Sequence, residues 1–268
     1  MIFNTNDACT ANRKVNGNTH TMMFHVDDLM SSHVDSKVNN KFSVWLNEQC
    51  GECGKVKATR GNEHDHLGMA FRFKDGKVEI NMVECAINAL KEFPVKLREM
   101  LENIMPAGVD LFREDNSEKM NKEMRTMFHR TVVQGLFVCK RARPDTQPMI
   151  AVLCTGVKSP GQKDWNKLVR LMKYLHSTKD DVLTLDARNG VHNVEWSMDS
   201  AFGVHPDFKS HVRGTVKFKE GHGSVVNVST KQKLNTESSA VAELMGVDQV
   251  PPSVLWAPSF LKEQSYKV

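Results

Sequence analysis

Apolar positions recur along this chain with two periods, and the switches between them mark out its elements. Thr19-His20-Thr21-Met22-Met23 and Leu29-Met30-Ser31-Ser32-His33 read as two strands. Between them, Phe24-His25-Val26-Asp27-Asp28 falls where a tight hairpin turn belongs. Ser36 to Gln49 has helical spacing, with Val38, Phe42, Trp45 and Leu46 on one face. Lys55 to Thr59 reads as a strand. Leu67 to Phe73 and Lys77 to Met82 alternate on either side of Asp75-Gly76, a strong hairpin signal. Asn81 to Phe93 returns to helical spacing through Val83, Ile87, Leu90 and Phe93, and Pro94 follows it. Lys96 to Met105 is a second short helix by the same reading.

The polar stretch 106–120, with Pro106 and Gly108, reads as a loop or linker. Lys122 to Arg141 is helical, with Met127, Val132, Leu136 and Val138 as its buried stripe. Pro148 to Thr155 fits helix or strand. Gln162 to Ser177 is a helix on Trp165, Leu168, Leu171, Met172 and Leu175. The last third changes character. Val182–Leu185, Val194–Met198, Gly214–Phe218 and Ser224–Val228 are strand-like and separated by glycine-bearing turns. Helices over Ser238–Val247 and Ser253–Gln264 follow, divided by Pro251-Pro252. The expected fold class is α+β.

Composition adds modest limits. A chain of 268 residues has room for two domains. Net charge is +4 and the pI is near 8.7, compatible with a polyanionic partner without demanding one. No apolar run approaches the roughly 18 residues of a membrane span. The opening Met1–Asp7 stretch lacks a basic region followed by an apolar core, so no signal peptide is expected. Six cysteines without a secretory signal fit free thiols in a reducing compartment, placing the chain inside the cell, in cytoplasm or nucleus.

Adjacent aspartates after a short apolar run, at a strand-turn junction, are how many polymerases hold divalent metal. They are also what plain turns look like, because aspartate tolerates turn conformations. Cys50-Gly51-Glu52-Cys53, with His64 and His66 nearby, invites a zinc reading. The spacing departs from the usual finger, and two free thiols account for it better. His205 and His211 flank a loop after Asp199 and are candidates to touch a phosphate. Lys140-Arg141-Ala142-Arg143 is either a phosphate-contacting stretch or a charged helix end.

Four short motifs, in linear order, carry a resemblance. His25-Val26-Asp27-Asp28-Leu29 resembles a paired-aspartate polymerase motif. His66-Leu67-Gly68-Met69 resembles a Leu-Gly hairpin that grips a primer end. Arg141-Ala142-Arg143-Pro144-Asp145 resembles a connection motif. Lys231-Gln232-Lys233-Leu234-Asn235-Thr236, with Ser238-Ser239 and Ala242-Glu243-Leu244, resembles a ribonuclease H signature. Together they resemble part of a copia-type retrotransposon polyprotein. The match covers the end of its reverse transcriptase, a connecting segment and the start of its ribonuclease H.

The resemblance implies a partial palm and the start of a thumb over 1–105, and a linker with helical thumb or connection over 106–180. It implies an incomplete ribonuclease H-like mixed sheet with helices over 181–268. Asp27, Asp28, Asp199 and Glu243 become the implied catalytic and Mg²⁺-ligating residues for two-metal phosphoryl chemistry. Leu67, Gly68, Lys140, Arg141 and Arg143 become contacts to RNA, DNA or an RNA/DNA hybrid. In the family a third aspartate lies on a strand before the pair, and further ribonuclease H carboxylates lie beyond the second helix. Both are expected to fall outside this sequence. Ala240-Val241 stands where the family has Thr-Glu, and Asp248-Gln249 where a second acidic residue is common. The expectation is a remnant without activity of its own. The alternatives are a binding module for RNA or hybrid, and an enzyme completed by other polyprotein segments.

Overall fold

The computed structural model describes residues 1–52, 54–97, 111–113, 116–186, 188, 190–218, 221–249 and 251–267, with the backbone alone at 251–253. The described chain is α+β, with three antiparallel sheets and helices between and after them.

The first sheet has the order β1-β2-β3-β4: β1 Ile2–Asn4, β2 Asp7–Val15, β3 Asn18–His25 and β4 Asp28–Ser32. Neither β1 nor β2 was expected. Asn16 and Gly17 both take positive φ, closing β2–β3 as a two-residue hairpin with Val15 opposite Asn18. Helix α1, Ser36–Cys50, is capped by the Asp35 carboxylate, which accepts from the Lys37 amide. Phe42 of α1 packs with Ala11 and Met22 on the inner face of this sheet. His20, fully buried on the same face, accepts from Arg13 Nε at 3.1 Å and meets Ser31 Oγ at 2.8 Å.

The stretch Lys55–Thr59, expected as a strand, has no regular structure. Charged and small residues alternate there with too little apolar side chain to bury. The second sheet starts instead at β5 Glu63–His66 and continues through β6 Met69–Lys74 and β7 Lys77–Asn81. Its fourth strand is β8 Leu183–Asp186, paired antiparallel with β7 although it lies about a hundred residues later. Helix α2, Val83–Glu92, follows β7. Most of the helix expected over Lys96–Met105 lies outside the described residues.

Three helices form the middle layer: α3 Lys122–Cys139, α4 Gln147–Gly156 and α5 Gln162–Ser177. Pro148–Thr155, open from sequence, is therefore helical. Phe128, Val132, Met149, Ile150, Leu153, Leu168, Leu171 and Met172 interlock there at 1% exposure or less. The end of α3 reaches the second sheet, where Val138 and Ala142 pack with Ile80 and Met82.

The third sheet has the order β11-β10-β9: β9 Val194–Ala201, β10 His211–Phe218 and β11 Val226–Lys231. It is wholly antiparallel rather than mixed. A parallel partner needs a long crossover back to the sheet, and α6 Ser239–Gln249 and α7 Pro251–Glu263 follow β11 with no further strand among the described residues. Gly246 lets α6 lie close on β9: a Cβ there would meet Met198 Sδ at 2.4 Å and Ser200 Oγ at 2.6 Å.

The middle layer sets the stability. Leu168→Ala is expected to lower the unfolding free energy by about 2–5 kcal/mol in urea titration. Leu244→Ala, at a side chain 69% exposed, should change it by under about 0.5 kcal/mol.

Candidate functional site

The β3–β4 hairpin closes with His25 opposite Asp28, leaving Val26 and Asp27 as its two turn residues. Val26 has φ +53° and is 92% exposed. A β-branched residue in the left-handed region is strained, because its Cβ crowds the backbone. The β5–β6 hairpin repeats the pattern, with Leu67 at +52° and Gly68 at +76° between His66 and Met69. The other two-residue hairpins carry Asn16-Gly17 and Asp75-Gly76, residues that accept such angles. Among the described two-residue hairpins, the two that the sequence marks for function are thus the strained ones; outside hairpins, Phe208 also takes a positive φ, at +59°. Backbone strain of this kind collects where surrounding structure enforces it for a purpose.

The two hairpins are neighbours. His66 is buried, with Nε2 lacking a hydrogen-bond partner. Burial pushes its imidazole below the usual value, against an upward pull from the Asp28 carboxylate and with a further downward push from His25. On the other side of the β5–β6 turn, a methyl added at Gly68 would stand 3.4 Å from the Phe137 ring and 3.5 Å from the Cys85 sulfur. The Arg141 guanidinium lies 3.8 Å above the centre of that ring and donates to the Phe137 carbonyl at 3.3 Å. No carboxylate pairs with Arg141 among the described residues. Asp28 thus lies near the buried His66 at the base of the β5–β6 turn, and Arg141 lies near Gly68 through Phe137. Lys140, next to Arg141 in the chain, is exposed.

Arg143 does not join them. It is 4% exposed and gives Nε and Nη2 to Asp145, with Nη1 and Nη2 to the carbonyl and hydroxyl of Thr178. Its donors tie the start of α4 to the end of α5 and are taken up by Asp145 and Thr178. His205 and His211 are also internal. His205 Nε2 lies 3.0 Å from His211 Nδ1, and His211 Nε2 lies 2.7 Å from Ser229 Oγ. Phe112 packs against both rings. Burial is the main cause that pushes each imidazole down to about 4, helped by Lys231 for His205 and by His205 for His211.

The second pair of carboxylates sits on the third sheet. Asp199 is exposed on β9. Glu243 Oε1 on α6 accepts from the Ser200 amide at 3.0 Å. That amide belongs to the edge strand of the sheet, so Glu243 satisfies an edge donor one residue from Asp199. Glu243 is held by this backbone bond on the face that α6 covers, where Met198 and Ser200 meet Gly246, while Asp199 alternates to the opposite, exposed face.

Mg²⁺ takes six oxygens in near-octahedral order. Asp27 and Asp28 are suitable oxygen donors, yet no group of three or more His, Cys, Asp or Glu side chains suited to a metal occurs among the described residues. Cys50 is exposed and unpaired, and Cys53 lies outside the described residues. No described helix is long and apolar enough to cross a membrane. Comparison with protein-family models, curated proteins and solved structures finds no match.

Val26→Asn should raise stability by about 1 kcal/mol in chemical denaturation, because asparagine tolerates positive φ and little packing is lost. The histidine pair makes stability pH-dependent. As pH falls, the unfolded rings take up protons near 6.5, while the folded rings do so only near 4. The unfolded state binds more protons in between, so stability is full above about pH 6.5 and falls down to about pH 4. The loss is on the order of a few kcal/mol for the pair. His205→Gln with His211→Gln should flatten that dependence in thermal melts at stepped pH.

Proposed function

We propose that this chain is a fragment of a copia-type reverse transcriptase and ribonuclease H that engages RNA/DNA hybrid without turning it over. One observation carries the reading. Asp28 of the β3–β4 hairpin lies near enough to His66, at the base of the β5–β6 turn, to act on its charge, and Arg141 is stacked on Phe137 beside Gly68 of that turn. Arg141 and Lys140 supply charge for a phosphate backbone, and the Leu67-Gly68 tip offers a close apolar approach. The linear order of the four motifs supports the assignment of ancestry.

Two-metal chemistry needs several carboxylates around a pair of ions. Asp27 and Asp28 have no third ligand among the described residues, and Glu243 already accepts from a backbone amide. The reading is accordingly one of binding.

A labelled RNA/DNA hybrid titrated with the purified chain tests this by fluorescence anisotropy. Binding should weaken steeply between 50 and 200 mM salt, roughly tenfold or more. Arg141→Ala should weaken it by about three- to tenfold, and Lys57→Ala should leave it unchanged. Mg²⁺-dependent primer extension and hybrid cleavage should both be silent. No binding at low salt, or turnover that Asp27→Asn or Asp199→Asn abolishes, overturns the proposal.

A further inference from the structure

The last helix is held by the first sheet. Trp256 Nε1 donates to the Asn6 carbonyl at 2.8 Å, and Asn4 Nδ2 donates to the Phe260 carbonyl at 3.4 Å. The Glu263 carboxylate accepts from the Thr5 amide at 2.6 Å, from Asn6 Nδ2 at 3.0 Å and from the Thr5 hydroxyl. Just past the helix, Gln264 is 8% exposed, with its amide 3.0 Å from the Thr21 hydroxyl.

Register shows which part of the sheet this covers. Asn4 faces Asp7 across β1–β2, and Thr10 faces Met23 across β2–β3. The β1–β2 turn therefore lies at the same end of the sheet as the Val26-Asp27 turn. Side chains alternate along β3, so Thr21, Met23 and His25 share the face opposite the His20–Met22 core. Asp28 stands opposite His25 and shares that outer face. Gln264 reaches Thr21 on it. The helix α7 thus straps the face and the end of the sheet that carry the aspartate pair.

The strap is weakly made. Its bonds to the first sheet are mostly single polar contacts to a turn, and its other side packs on β9 and α6. Gln264 Nε2 is buried without a partner. Turning the amide over would satisfy that nitrogen on Thr21 and strand the oxygen instead, so one end of the amide is unpaired either way. An interface with this makeup opens locally at modest cost. Its one charge in contact with the sheet is the Glu263 carboxylate, which repels a polyanion.

We infer that α7 is a detachable cover over the outer face of the first sheet, and that a nucleic-acid ligand of the Asp27–Asp28 end displaces it. The inference rests on the hybrid-binding reading. It predicts opposite effects for two variants of the full chain. Glu263→Ala loosens the cover and should raise affinity for an RNA/DNA hybrid by about fivefold over Glu237→Ala, an exposed control that removes the same charge. Gln264→Leu removes the stranded amide and should lower affinity. Amide hydrogen exchange across 254–264 should quicken in Glu263→Ala, and in the unaltered chain on addition of hybrid.

Faster exchange in Glu263→Ala with affinity equal to Glu237→Ala overturns the cover while leaving hybrid binding in place. Unchanged exchange in Glu263→Ala shows that these contacts do not hold the helix, and also overturns it. No hybrid binding by any variant, including one with an opened α7, removes the hybrid-binding reading and the cover with it.

Discussion

Apolar burial between α3, α4 and α5 is the interaction on which the other elements depend. Phe128, Val132, Ile150, Leu168 and Leu171 are wholly out of water there. Small antiparallel sheets of three or four short strands are marginal alone and need a packed face to persist. The helical layer supplies one to two of the three sheets. Through Val138 and Ala142 the end of α3 backs the second sheet at Ile80 and Met82. Through Gln147, whose amide donates to the Asn227 carbonyl at 2.9 Å, the start of α4 is tied to β11 of the third. The buried Arg143 guanidinium, paired with the exposed Asp145 carboxylate, fixes the turn between those contacts. A charge so placed is tolerated because its hydrogen bonds are satisfied.

That scaffold makes strained turns affordable. Leu67 keeps a left-handed backbone because β5 and β6 are paired on both sides of it, and Phe137 of α3 closes over the adjacent Gly68. Val26 is held in the same way by the β3–β4 ladder. Each hairpin tip is held by a sheet that is rigid for other reasons. The candidate site therefore consists of surface loops whose geometry is decided at some distance, by cores on either side.

Much of this was readable from residue order, for reasons that differ by element. Gln162–Ser177 was read with its true bounds because five large apolar side chains mark one helical face. Asp75-Gly76 revealed its hairpin because the pair suits positive φ. Asn16-Gly17 carries the same signal, and giving it equal weight would have disclosed β2 and the start of β3. Other features have no local signature. The pairing of β8 with β7 joins residues far apart in sequence, and a four-residue apolar run cannot say which sheet it enters. Arg143 looks like Arg141 in the sequence. Only the fold makes one a buried tie and the other a surface cation. His205 and His211 read as polar loop residues until the loop is seen to fold them against each other and against Phe112.

The two carboxylate pairs show why residue identity alone under-determines chemistry. Asp27 and Asp28 sit at a hairpin tip, where ladder geometry presents them outward and gathers no third donor among the described residues. Asp199 and Glu243 flank the edge strand β9 from opposite faces, and the unpaired amide of that edge draws in Glu243 from α6. Glu243 meets that demand at Ser200. An edge amide needs an acceptor wherever water is excluded, so a carboxylate that supplies it is less available as a ligand. Pairing the edge of β9 with another strand would change this balance by giving the amide a carbonyl and releasing Glu243. The state of Glu243 is therefore set by what lies beside β9.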